Sequence, residues 1–104
     1  MLILDEPCAG LDPAAREHFL QFLQRLGKSR NSPTLVLVTH HVEEIIPVFS
    51  HALILKDGSV LAAGEKSASL TAKILSRAFG VTVSLQRNAG RYAMRVKPKA
   101  GVVV

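Results

Sequence analysis

Short unbroken apolar runs alternate along the chain with longer stretches of helical period, and turn residues mark most of the changes. Residues 1–4 form the first run, which two carboxylates, Asp5 and Glu6, end abruptly. It predicts a short buried strand. Asp12-Pro13 then starts a helix, because Asp at the N-cap accepts orphan backbone N–H groups and Pro at the first helical position loses no hydrogen bond. Phe19, Leu20, Phe22, Leu23 and Leu26 give that helix a broad apolar face, and Gly27 fits its C-terminus. Residues 28–33 read as a loop, and Thr34-Leu35-Val36-Leu37-Val38 is a second continuous run. Lack of alternation predicts a strand buried on both faces, and strand, helix, strand in that order predicts a parallel βαβ unit.

Thr39-His40-His41 closes the second strand, and a short helix is expected next, with Val42, Ile45, Ile46 and Phe49 inward and Pro47 limiting it. A hairpin follows: strand 51–56, an Asp57-Gly58 turn and strand 59–63. Residues 66–79 read as one more helix, closed by Gly80. The tail alternates strictly, with Val81, Val83 and Leu85 on one face, an Asn-Ala-Gly turn, then Tyr92, Met94 and Val96. That pattern predicts a half-exposed hairpin. The fold class is therefore α/β, without internal repeats, and a soft boundary near residue 65 divides residues 1–65 from residues 66–104.

Composition bounds this picture. At 104 residues and 48% apolar, the chain supports one modest core, and the absence of Trp suits an aliphatic interior. A single cysteine, Cys8, excludes an internal disulfide framework and fits a reducing, cytoplasmic compartment. The apolar start has no basic region before it and stops at Asp5, so it predicts neither a signal peptide nor a spanning helix. Any membrane role then runs through a partner. Charge is uneven: four Lys/Arg stand against six Asp/Glu in residues 1–55, and nine against two in residues 56–104. The cations are scattered, with no run of four, which favours a solvated face over a nucleic-acid surface.

Three clusters carry candidate chemistry. Asp5 and Glu6 follow a strand whose C-terminal end, in a parallel sheet, faces the ligand crevice. One acid suits Mg²⁺, which takes few protein oxygens beside substrate phosphates, and the other suits a water-orienting base. A solvated acid pair entering a turn is the plain alternative. His40 ends the second strand, so neighbouring parallel strands would bring it to the same edge as Asp5 and Glu6, where an imidazole can donate to a phosphoryl oxygen. A surface or capping histidine is the alternative there, and His41 reads as the cap of the next helix. Cys8-Ala9-Gly10-Leu11-Asp12 reads as a loop plus N-cap, with no acylation machinery around the thiol.

Taken in order, "LILDEPCAGLD", "TLVLVTHHVEEI" and "HALILKDGSVLAAGE" resemble the C-terminal half of an ABC-transporter ATPase, over residues 1 to about 66. By that resemblance, Asp5 matches the Walker B aspartate on Mg²⁺ and Glu6 the catalytic glutamate that polarises the hydrolytic water. Ala9 to Asp12 match the D-loop, which meets the opposing subunit, and His40 matches the switch histidine on the γ-phosphate. His41 departs from the Asp common after that histidine. The resemblance implies a partial P-loop sheet with flanking helices and a C-terminal hairpin, ATP and Mg²⁺ as ligands of the intact protein, a second ATP-binding subunit and a transmembrane permease as partners, and a place at the inner membrane face.

No G-x-x-x-x-G-K-[ST] occurs, and the Q-loop and LSGGQ-type signature are absent too. The chain is thus expected neither to bind nor to hydrolyse ATP alone, so saturating MgATP should leave its melting temperature unchanged. The family sheet implies that strands 34–38 and 51–56 lack their common neighbour, leaving open edges and apolar faces. Two rival readings are an interaction module with a basic surface at Arg87, Arg91 and Arg95, and an ABC ATPase serving a role other than transport.

Overall fold

The computed structural model describes residues 1–97. The first strand, β1 (Leu2–Asp5), leads through a turn into helix α1 (Pro13–Lys28) and back to β2 (Leu35–Val38). β1 and β2 pair in parallel, with Leu4 opposite Leu37 and Asp5 opposite Val38. This is the expected βαβ unit. Asp12 caps α1, its Oδ1 accepting the Ala15 amide at 2.7 Å. Leu20 and Leu23 of α1 are buried with Cys8 and Ile46, and Leu4 and Phe19 pack against them.

Three expectations for this unit need correction. Phe22 is half exposed, because the buried stripe of α1 is narrower than its apolar composition suggests. Gly27 lies within the last turn rather than ending the helix, and Ser29 in extended geometry caps it instead. The glycine is required by packing: a Cβ there would stand 2.3 Å from Val48 Cγ2. β2 is also covered on one face only, with Val36 and Val38 exposed beside Ile3 of β1. On the other face of the sheet, Leu4 of β1 packs against the cluster that holds Leu20 and Leu23 of α1.

Past β2 the expected helix is a single 3-10 turn, Val42–Glu44. His41 occupies its N-cap position, but its side chain makes no capping bond; its backbone amide donates to Thr39 Oγ1 instead. The first hairpin pairs β3 (His51–Lys56) with β4 (Ser59–Glu65) in antiparallel, irregular between Ile54 and Leu55. Positive φ at Asp57 and Gly58 forms the tight turn predicted for that dipeptide. Among the described residues, β1–β2 and β3–β4 are separate two-stranded sheets, and Leu53, Leu55 and Val60 are more than half exposed. The open apolar faces expected for these strands are present.

Residues 66–79 split into α2 (Lys66–Ser69) and α3 (Ala72–Phe79) rather than one helix. Thr71 restarts the chain, accepting the Ile74 amide on its side chain, a local bond that competes with continuing the helix. Gly80 ends α3 in left-handed geometry, as expected. β5 (Val83–Asn88) and β6 (Arg91–Val96) make the terminal hairpin around Ala89-Gly90. Val83 and Tyr92 are buried with Val42, Leu70 and Leu75, while Val81 and Val96 stay exposed. One core cluster therefore joins the 3-10 turn to the C-terminal helices and hairpin.

Candidate active site

Parallel pairing brings the C-terminal ends of β1 and β2 to one edge. The ladder continues one residue past β1, where the Glu6 amide donates to Val38 O at 2.8 Å. Glu6 then adopts φ +48°, a left-handed conformation that costs a residue with a Cβ about 1 kcal/mol or more. The reversal starts the Glu6–Asp12 turn, held by Ala9 N–H to Glu6 O at 3.2 Å and Leu11 N–H to Cys8 O at 3.1 Å. It also turns the Glu6 side chain toward the neighbouring strand end.

There, His40 Nδ1–H donates to Glu6 Oε1 at 2.5 Å. A carboxylate only accepts, so this contact assigns the proton to Nδ1 and leaves Nε2 free. The imidazole is 81% exposed and the carboxylate 30% exposed, so the pair presents itself outward while one bond fixes its orientation. Asp5 is exposed at the end of β1, on the side of the sheet that carries Ile3 and Val36. Its carboxylate is available to a ligand that approaches the strand ends. Asp12 stands apart in role, because one of its oxygens is committed to the α1 cap. Ala9, Gly10 and Leu11 are all exposed, forming an outward loop between the acid pair and the helix.

Behind the pair lies a second layer that the hydrophobic pattern did not reveal. Glu44, 2% exposed, accepts a hydrogen bond from Thr39 Oγ1 at 2.9 Å, while the same hydroxyl receives the His41 amide at 3.0 Å. These bonds tie both residues flanking His40 to the 3-10 turn. Burial pushes the Cys8 thiol up, and the Glu44 carboxylate beside it acts in the same direction. Cys8 is therefore a neutral packing residue, in line with its reading as part of a loop. Sequence offered no signal for Glu44, which lies in a three-residue 3-10 turn too short to carry a periodic pattern.

Arg91, grouped by sequence with Arg87 and Arg95 on a basic surface, turns inward instead. Its guanidinium grips Glu17 of α1 with two bonds of 3.1 Å and donates to Glu43 O at 3.2 Å. Arg87 stays exposed, over the Tyr92 ring at 5.7 Å, and Arg95 is exposed. The proposed basic face thus loses its central member.

Comparison with known proteins bears on family and fold. The chain is 43% identical over 99 residues to the uncharacterized ABC transporter ATP-binding protein YlmA of Bacillus subtilis, covering 94% of this chain and 38% of that protein. Its homologues are ABC-transporter ATP-binding proteins. A second, YmeB of Lactococcus lactis, is 38% identical over 92 residues, covering 88% of this chain and 36% of its own length. The energy-coupling factor transporter ATP-binding protein EcfA2 of Spiroplasma kunkelii is 41% identical over 64 residues, covering 62% of this chain and 21% of that protein. No family model matches the chain.

Among solved structures, one described as a metal-chelate type ABC transporter in an inward-facing conformation superposes with a TM-score of 0.74 at 25% identity. It covers 95% of this chain and 39% of that one, and supports a partial ABC ATPase fold. The chain spans less than two fifths of the length of the relatives it matches.

Proposed function

We propose that this chain supplies the hydrolytic half of an ATP site in an ABC-type ATP-binding subunit that drives transport across a membrane. The observation that carries the reading is the 2.5 Å bond between Glu6 and His40 at the shared edge of two parallel strands. Glu6 keeps its second carboxylate oxygen for a water, which it orients and polarises for attack on a phosphoryl group. Its bond to His40 holds the imidazole beside that space, and a ring carrying a proton on both nitrogens would donate through Nε2–H to an oxygen of the transferred phosphoryl. Positive φ at Glu6 aims the carboxylate across the strand ends and is the local cost of that aim.

Asp5 would hold Mg²⁺, whose charge neutralises phosphate oxygens when it is bound. The fit rests on the donor: among the described residues no three His, Cys, Asp or Glu gather into a protein-only metal site. A single exposed carboxylate is the arrangement that Mg²⁺ accepts when phosphates and waters complete its shell. The phosphate-cradling loop is not in this sequence, so ATP binding requires residues beyond these 104. The exposed Ala9–Leu11 loop, next to Asp12, suits a contact with a second ATP-binding subunit. A transmembrane permease would be the further partner, since no helix among the described residues is long and apolar enough to cross a membrane. Residues 1–65 then belong to the ATPase core and residues 66–104 to an extension.

The test replaces the matching 99-residue stretch of the Bacillus subtilis relative with this chain and measures MgATP hydrolysis. The chimera is expected to turn over, and Glu6→Gln and His40→Ala are each expected to cut kcat by at least about a hundredfold while ATP still binds. A chimera that binds MgATP without hydrolysing it, or a Glu6→Gln variant that keeps its turnover, contradicts the reading.

A further inference from the structure

We infer that Arg91, in the C-terminal hairpin, is a positioning residue for the Glu6–His40 pair. It acts by clamping together the two segments that carry those side chains. The inference deepens the ATPase reading and rests on it for the meaning of the pair, though not for the geometry.

The two segments diverge after the site. From Glu6 the chain runs through the Cys8–Leu11 turn into α1, where Glu17 sits just past the first turn. From His40 it runs through the 3-10 turn, Val42–Glu44. Arg91 spans the gap: Nη1 and Nη2 bond the two oxygens of Glu17, and Nη2 also donates to Glu43 O. A planar guanidinium with two anchored nitrogens holds angle as well as distance, which an ammonium does not. The Glu17 carboxyl is correspondingly held below its usual range, the Arg91 hydrogen bonds being the main cause.

The rest of the hairpin presses the same turn. Tyr92 is buried with Val42, and Gly90 lies against Pro47 so closely that a Cβ would stand 3.1 Å from Pro47 Cγ. Behind His40, Thr39 and Glu44 are bonded to each other, so a shift of the 3-10 turn is transmitted directly to the residue beside the imidazole. A hairpin outside the matched motifs thus sets how the turn after His40 sits relative to the helix after Glu6.

The experiment uses the 104-residue chain without nucleotide, so its outcome and that of the hydrolysis assay are independent. Two nuclear magnetic resonance readouts are taken: the His40 imidazole Cε1–H signal, and amide exchange at Glu44 and Ile45, whose N–H groups bond His41 O and Val42 O. Arg91→Lys keeps the charge and loses the fork, and Glu17→Gln keeps the shape and loses the charge. Both are expected to shift the His40 signal and to speed exchange at Glu44 and Ile45 about fivefold. Arg87→Gln, on the same hairpin, is expected to change neither. An unmoved His40 signal in Arg91→Lys and Glu17→Gln overturns the inference, with or without faster exchange, because Arg91 would then only fasten the hairpin.

Discussion

Gly27→Ala separates packing from helix propensity within a single methyl group. Gly27 is the second-last residue of α1, where Ala is the better helix former by at most about 1 kcal/mol. Propensity alone therefore predicts a more stable protein. The added Cβ would stand 2.3 Å from Val48 Cγ2 and 3.2 Å from both Cβ and Cγ1 of the same residue. Rotating Val48 cannot relieve a contact that includes its own Cβ, so the backbone must move. That backbone is tethered, because the Val48 amide donates to Gln24 Oε1 of α1 at 2.8 Å. Overpacking of this kind costs about 1–3 kcal/mol. The net expectation is a loss of about 1–2 kcal/mol, read as a fall of roughly 0.5–1 M in the urea midpoint. In a Val48→Ala background both methyl contacts disappear and only the 3.2 Å approach to Cβ remains, so the cost of the substitution should shrink to near zero. Equal or greater stability of Gly27→Ala in the otherwise unchanged chain would refute the packing argument.

Asp12→Ala should lower stability by about 1 kcal/mol in urea unfolding, through loss of the α1 cap, while Asp12→Asn should stay close to the parent. Glu17 binds its proton less readily in the folded chain than its usual value of 4.5 implies. Its contribution is therefore full above that value and is lost as pH falls through the lower folded one. Urea midpoints taken from about pH 6 to about pH 3 should fall less steeply for Glu17→Gln than for the parent chain, and parallel slopes would contradict the pairing with Arg91.

The placement of the candidate site was more legible in the sequence than the contacts that support it. Asp5, Glu6 and His40 were legible because two continuous apolar runs flanking a helix imply parallel strands, and parallel strands put their C-terminal residues on one edge. The Asp57-Gly58 and Ala89-Gly90 hairpins were legible because tight turns need φ values few residues accept. What stayed hidden depends on contacts between segments far apart in the chain. Gly27 reads as a helix terminator until Val48 is seen against it, and Arg91 reads as a solvated cation until Glu17 is seen 74 residues away. Glu44 was hidden for a related reason: its carboxylate is enclosed beside Thr39 and Cys8, the latter 36 residues away in the chain. The break between α2 and α3 did leave a local trace in Thr71, whose side chain caps the second helix.

The central claim is that Glu6 and His40 act as one unit on one phosphoryl group, and a double-mutant cycle on kcat tests it most directly. In the ATP-hydrolysing chimera, Glu6→Gln, His40→Ala and the double variant would be compared with the parent. Residues that act together are strongly non-additive, so His40→Ala in the Glu6→Gln background should cost less than about threefold beyond Glu6→Gln alone. Two full and multiplicative losses would mean that the 2.5 Å bond joins residues with separate roles, and would contradict the account.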